Sequence, residues 1–314
     1  MNDDGFVSGL DVRFLSGAPT VLSFGASRSG KSTLASLAAS MEYVDHLDEP
    51  IEIIIQCALD FLGFQQSIVS EELIKSYISE IKCEMLLLRR ANFRPFDASS
   101  IWKTKGVPEI WQRLFQLKTR LDALNYMHEK EQRLWITCTD LLPTVKLFKD
   151  ASINSHKVVV MRDPLEVSEA ISSKGWFSDS RLETPAFNTP VTPYKNSAAG
   201  TQWFLPWWLG SENFDSFVTA DEIGRGLIYW DSIYSSLEIT KGSMIDYEVF
   251  FFKEIFGDTA SVINRLENLL GKAPTKKTKK IAKRLSYIPP SFPDVSKESR
   301  DIYQTIIGKY GLKF

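Results

Sequence analysis

Short, densely apolar runs alternate along the chain with longer stretches whose apolar residues recur three and four apart. Thr20–Phe24 (TVLSF), Ile51–Leu59 (IEIIIQCAL), Arg133–Asp140 (RLWITCTD) and His156–Pro164 (HKVVVMRDP) have the length of strands, and GSMIDYEVF supplies a further one. Such runs predict strands buried within a sheet. GKSTLASLAASM, the segment from Ile68 to Glu131, LLPTVKLFKDA, LEVSEAISSKGW, Ala220–Ile239 and KEIFGDTASVINRLENLLG predict helices. Strands alternating with helices imply crossover units, hence an α/β fold with a parallel sheet flanked by helices. Gly175–Gly210 is aperiodic, rich in Ser, Thr, Pro and Asn, and holds Trp176, Trp203, Trp207 and Trp208. A stretch of that kind inside a compact domain predicts a lid or binding insertion at 175–210. A basic run, GKAPTKKTKKIAKRL, opens a C-terminal extension at 271–314, and the whole of 1–314 reads as one domain.

Composition narrows the function classes. With 44% hydrophobic residues in 314, the chain can bury a large core. A net charge of −2 and a pI near 6.0 give no reason to expect a nucleic-acid partner. Cys57, Cys83 and Cys138 form neither a disulfide framework nor a metal-ligand spacing, which points to a reducing compartment. No run has the length of a membrane span, and the N-terminal segment lacks a signal pattern, so the expectation is a cytoplasmic protein. The basic run reads first as a solvated helix face.

The densest chemistry lies in SFGASRSGKST, Ser23 to Thr33, which fits G-x-x-x-x-G-K-[ST] with Gly25, Gly30, Lys31 and Ser32 in the fixed places. Between a strand and a helix, such a turn aims backbone N–H groups and the helix dipole at one anion. Lys31 adds a mobile cation, and Ser32 a hydroxyl for phosphate or Mg²⁺. An ATP-handling kinase would also need a strand-end Asp for Mg²⁺, and Asp140 and Asp163 occupy such places. Each is equally a helix N-cap, above all Asp163 before Pro164. Arg162, at the end of a buried strand, has the planar cation that grips phosphate at two points. Two anion sites on neighbouring strand ends suit a nucleotide with phosphates at both ends of its ribose.

At these residues the chain resembles the sulfotransferase superfamily, enzymes that use 3′-phosphoadenosine 5′-phosphosulfate (PAPS). The family's donor loop, [KR]-S-G-[TS]-[TS], is matched by Arg28-Ser29-Gly30-Lys31-Ser32 except at Lys31, and its 3′-phosphate strand by VVVMRDP. HLDEP, ITCTDLLPTVKLFKDA and YWDSIYSSLEITKGSMIDYEVF follow the family's order, so the resemblance spans about Thr20 to Lys272. It implies a PAPS donor, no metal, and sulfuryl transfer to the hydroxyl of a small molecule or saccharide; the aromatic faces of 175–210 suit a carbohydrate or glycolipid acceptor, and equally a small satellite core under the loop. Gly25, Arg28, Ser29, Gly30, Lys31, Ser32, Thr33 and Arg162 would hold the donor. The family's helix serine falls on Ala170, leaving Ser172 or Ser173 to serve, and the lysine of the preceding strand is Cys138. Arg28 and Lys31 would stabilise the transferring group, and His46 or Glu49, with Glu42 third, would take the acceptor's proton. Lys31 completes an ATP-type motif, so an ATP- and Mg²⁺-dependent kinase of a small molecule is the alternative. The sequence leaves the oligomeric state open.

Overall fold

The computed structural model describes residues 19–97, 99–150, 155–184, 190–195, 200–237, 247–288 and 295–311. In chain order the elements are β1 Thr20–Gly25, α1 Lys31–Ala39, β2 Val44–Asp48, α2 Ile51–Phe61, α3 Ser67–Leu86, α4 Ile101–Thr104, α5 Val107–Gln116, α6 Arg120–Glu129 and β3 Arg133–Thr139. There follow α7 Val145–Asp150, β4 Ser155–Met161, α8 Pro164–Ser172, α9 Asp179–Leu182, β5 Val191–Lys195, β6 Gln202–Pro206, α10 Phe214–Thr219 and α11 Glu222–Tyr234. The last are β7 Tyr247–Phe251, α12 Phe252–Gly257, α13 Thr259–Leu270, α14 Lys276–Ala282 and α15 Lys297–Tyr310.

The main sheet is parallel, in the order β2-β3-β1-β4-β7. β1 is central and buried along its whole length, which is why it reads as an unbroken apolar run. On one face Leu22, Phe24, Ile136 and Val159 meet Ile53, Ile78, Phe148 and Trp230. On the other, Val21, Trp135, Val158 and Phe250 pack on Leu34, Leu37 and Leu266. All five strands end at one edge, where an α/β sheet of this kind presents its ligand site.

One predicted strand is a helix. Ile51–Leu59 lies within α2, because Glu52, Gln56 and Asp60 recur four apart and Pro50 occupies the N-cap position. Ile53, Cys57 and Ala58 turn inward, while Ile51 and Ile55 stay exposed. The strand is the polar VDHLD just before it, and its polarity is internally matched. The Asp45 carboxylate accepts two bonds of 2.8 Å from Arg113 and one of 3.0 Å from Gln132, with Lys105 at 3.6 Å. Asp45, Arg113 and Lys105 are all buried. Buried charges paired in this way are tolerated where unpaired ones are not.

The aromatic insertion has structure of its own. Its described residues include α9 and an antiparallel β5–β6 hairpin, and Trp203, Trp207 and Trp208 are buried in the main core. Three of the four tryptophans thus take the packing role, one of the two roles open to them in the sequence, while Trp176 is 41% exposed. Among the described residues no helix is long and apolar enough to cross a membrane.

Candidate functional site

The turn from Gly25 to Gly30 joins the end of β1 to α1. Gly25 has φ 144° and Gly30 φ 100°, values open to glycine and strained for other residues. A Cβ on Gly25 would lie 2.4 Å from the Val160 carbonyl oxygen, and one on Gly30 2.8 Å from the Phe252 ring. The backbone therefore passes where only glycine fits. Among the described residues no protein acceptor takes the amides of Lys31 and Ser32, the opening N–H groups of α1. They leave an anion cradle at the helix N-terminus.

The rest of the loop is held from behind by α11. Ala26 N donates to Tyr234 Oη at 3.0 Å, and that hydroxyl donates to the Val160 carbonyl. Ser27 N donates to Tyr229 Oη and, at 3.2 Å, to Asp140 Oδ1. Tyr229 itself donates to Asp140 at 2.5 Å. Burial raises the Asp140 carboxyl to about 6, against the pull of nearby Lys31. Asp140 is thus a bracket for the loop backbone, while Asp163 caps α8 by accepting from Leu165 N at 2.8 Å. For Asp140 the sequence left two readings open, a Mg²⁺ ligand and a helix N-cap, and for Tyr229 none; the signal there was two tyrosines five apart on a helix, which names no partner.

Lys31 is 4% exposed and curls back to the Ala26 carbonyl, with Ser29 Oγ 3.4 Å away. Burial lowers its pKa, and Asp140, Glu49 and Asp48 pull it up. Arg28 sits exposed at φ 67°. Arg28, Glu49 and Asp140 are three of the six non-glycine residues at positive φ among those described. Such strain clusters where function requires a shape. Ser29 is buried, and Ser32 and Thr33 are half-buried on the first turn of α1.

Arg162 comes to the same edge. Its Nη1 donates to the Arg28 carbonyl at 3.1 Å, its Nε pairs with Glu166 at 2.7 Å, and its guanidinium lies 4.0 Å from the Phe252 ring centroid. Trp230 Nε1 fixes the Arg162 carbonyl at 2.9 Å. Beside it opens a cleft of about 320 Å³ lined by Arg162, Glu166, Phe251, Phe252 and Lys253. Ser172 stands on the last turn of α8, where its hydroxyl donates to Glu222 at 3.4 Å. Ser168 donates to the Pro164 carbonyl and packs on Gly226.

The two base candidates separate. Glu49 follows β2 and accepts from Thr139 Oγ1 at 2.6 Å; Thr139 is the register neighbour of Gly25, so Glu49 stands one strand from the loop. His46 is buried, its Nε2 2.8 Å from Thr137 Oγ1 and 3.8 Å from Asp48, with Nδ1 lacking a partner. Burial lowers its pKa from 6.5 to about 4, against a raising influence of Glu49. In the unfolded chain the ring takes up its proton near 6.5, so stability falls as pH drops from 6.5 towards 4. Relative to His46→Gln, the wild type should lose about 3 kcal/mol across that window. Urea unfolding of both proteins at neutral and acid pH measures the difference. Among the described residues no group of three or more His, Cys, Asp or Glu is placed to hold a metal ion.

Fold and loop together define an α/β protein with a phosphate-loop-type turn at the carboxyl edge of its sheet. No protein-family model matches the chain, and no curated protein does. Three solved structures similar to it are sulfotransferases. The sulfotransferase domain of the olefin synthase of Synechococcus PCC 7002 is 11% identical over 94% of this chain and 95% of that one, with TM-score 0.41. STF9 of Mycobacterium avium is 9% identical over 95% and 78%, with TM-score 0.46. The sulfotransferase domain of the curacin biosynthetic pathway is 9% identical over 94% and 99%, with TM-score 0.44.

Proposed function

We propose that this chain is a sulfotransferase that moves a sulfuryl group from PAPS to a hydroxyl of a saccharide, free or carried on a lipid. The observation that supports this reading best is the bond from Arg162 to the Arg28 carbonyl. It joins two anion-binding elements, one for each phosphate-bearing end of a 3′-phosphorylated nucleotide. When bound, the donor supplies a sulfuryl group whose sulfur bonds to the acceptor oxygen as its bond to the 5′-phosphate oxygen breaks.

The loop amides and Ser32 would hold the 5′ end, with Arg28 and Lys31 countering charge as it gathers on the leaving oxygen. Arg162, aided by the cleft beside Phe252, would hold the 3′-phosphate. Glu166 competes for that guanidinium, so binding there displaces an internal carboxylate rather than water. Glu49 is the proton acceptor of choice: it stands near Lys31 at the strand ends, whereas His46 is packed within the sheet layer. Ser172 has no part in the donor site of this scheme. Trp176 is the one tryptophan of the insertion with a face left for a sugar ring.

Calorimetric titration with 3′-phosphoadenosine 5′-phosphate, and with ADP plus Mg²⁺, tests the reading. The wild type should prefer the first, without metal. Arg162→Ala should weaken it by roughly 10- to 150-fold and leave ADP nearly unchanged, since one charged contact is worth about 1.5–3 kcal/mol. Equal weakening of both nucleotides, or a preference for ADP with Mg²⁺, would refute it.

A further inference from the structure

The Arg162 guanidinium already has a buried anion of its own. Glu166, on the first turn of α8, has a side chain only 3% exposed. Its two carboxylate oxygens are taken by two donors: Arg162 Nε at 2.7 Å and the Tyr287 hydroxyl at 2.7 Å. Tyr287 comes from the C-terminal extension. Its ring meets Phe252 edge-on at 6.1 Å, and Phe252 is the ring beside the Arg162 guanidinium. Burial, and the carboxylate it faces, push the Tyr287 phenol up to about 12, so it stays a donor.

The other ionisable groups here leave Arg162 as the cation that Glu166 depends on. Asp163 accepts from Leu165 N and from the Tyr303 hydroxyl of α15 at 3.0 Å, and adds a second negative charge nearby. Glu254 and Lys253 line the same cleft, but Glu254 bonds Arg265 at 3.1 Å and Lys253 is exposed. Arg162 Nη1 donates to the Arg28 carbonyl, and among the described residues Nη2 has no protein acceptor. A phosphate monoester carries a charge of about −1.5 to −2 at neutral pH. Bringing one to the free N–H groups of Arg162 places two anions on one cation. When like charges share a site, one of them is pushed to take up a proton. Glu166 is the member shut off from water, and buried glutamates are known to keep a proton up to about pH 8–9.

We propose that Glu166 is a positioning residue that gains a proton when Arg162 takes a 3′-phosphate and gives it up when the nucleotide leaves. This rests on the reading of Arg162 as the 3′-phosphate ligand. Ionised, Glu166 aims the guanidinium in the free protein. Protonated, it yields the guanidinium to the phosphate and remains bonded to Tyr287. The proton comes from solvent, and no covalent bond of the nucleotide changes. Binding is thereby favoured at lower pH and release at higher pH. A nucleotide without the 3′-phosphate engages the loop and leaves Glu166 ionised.

Calorimetric titration of the full chain with 3′-phosphoadenosine 5′-phosphate in Tris and in HEPES counts the protons, because the two buffers differ in heat of ionisation. The phosphate itself is largely ionised above about pH 7. There the wild type should take up about one proton per nucleotide, and its affinity should fall roughly tenfold by about pH 8.5. Glu166→Gln, whose amide can accept from Arg162 and donate to Tyr287, should take up none and bind with level affinity over that range. Tyr287→Phe keeps the carboxylate and removes a bond that favours its ionised form, so the fall should move to higher pH. ADP should bring no proton with it. Equal uptake by the wild type and Glu166→Gln, or none by the wild type, would overturn the proposal and leave Arg162 as the phosphate ligand. Failure of the 3′-phosphorylated nucleotide to bind better than ADP would overturn the donor reading itself, and this proposal with it.

Discussion

Arg113→Ala is expected to destabilise the protein by about 3–5 kcal/mol, the cost typical of removing one partner from a buried ion pair. The Asp45 carboxylate would keep its place inside the molecule, with Gln132 at 3.0 Å and Lys105 at 3.6 Å as its remaining partners. Lys105 also donates to the Val44 carbonyl and faces Glu109, so it offers Asp45 only part of what is lost. Urea unfolding gives the size of the effect. Replacing both partners by apolar residues of similar volume, Asp45→Leu with Arg113→Met, should recover most of it, because no charge is then left unpaired. A loss below about 1 kcal/mol in the single variant would show that the pair is dispensable and that β2 is held by its ladder with β3 alone.

Lys31→Ala is expected to lower kcat by about 10²–10³-fold, as for removal of a fixed donor that meets charge only in the transition state. Its ammonium is buried against the loop near Asp140, Glu49 and Asp48, and in the proposed reaction it would counter the charge gathering on the leaving oxygen. Binding of the nucleotide product should change much less than kcat. Stability should not fall, since burial already disfavours the ammonium and the alanine fits the helix. Single-turnover transfer from PAPS, to a screened saccharide or to water, measures the first quantity, and a thermal melt the second. Unchanged turnover would remove Lys31 from the chemistry and leave the amide cradle as the main stabilising element.

The parts of this architecture that were legible in the sequence are those where burial is two-sided and local. β1, β3 and β4 are apolar runs because both of their faces are covered, and the loop between β1 and α1 announces itself through glycines that no other residue can replace. β2 was hidden because Asp45 and His46 are satisfied by residues far along the chain, and α2 was mistaken for it because its isoleucines outnumber its polar residues. The role of Trp203, Trp207 and Trp208 depended on what lies opposite them, which no local pattern encodes. The tyrosines behind the loop were invisible for the same reason. Ser172 was placed by the family resemblance, and its bond to Glu222 is a partner that no local pattern names.

The position of β1 has a consequence for synthesis. This strand is made first, yet both of its neighbours come later: the Trp135–Ser23 bond spans 112 residues, and the Tyr234 bond to Ala26 spans 208. Contacts this distant in sequence form slowly, because a long stretch of chain must be closed before any of them is gained. A nascent chain halted before Tyr234 would carry every residue of the glycine loop and lack the brace that shapes it. The glycine-loop edge of the sheet is therefore among the last parts to mature, and a growing chain has little means of shaping it before the helix Glu222–Tyr234 emerges.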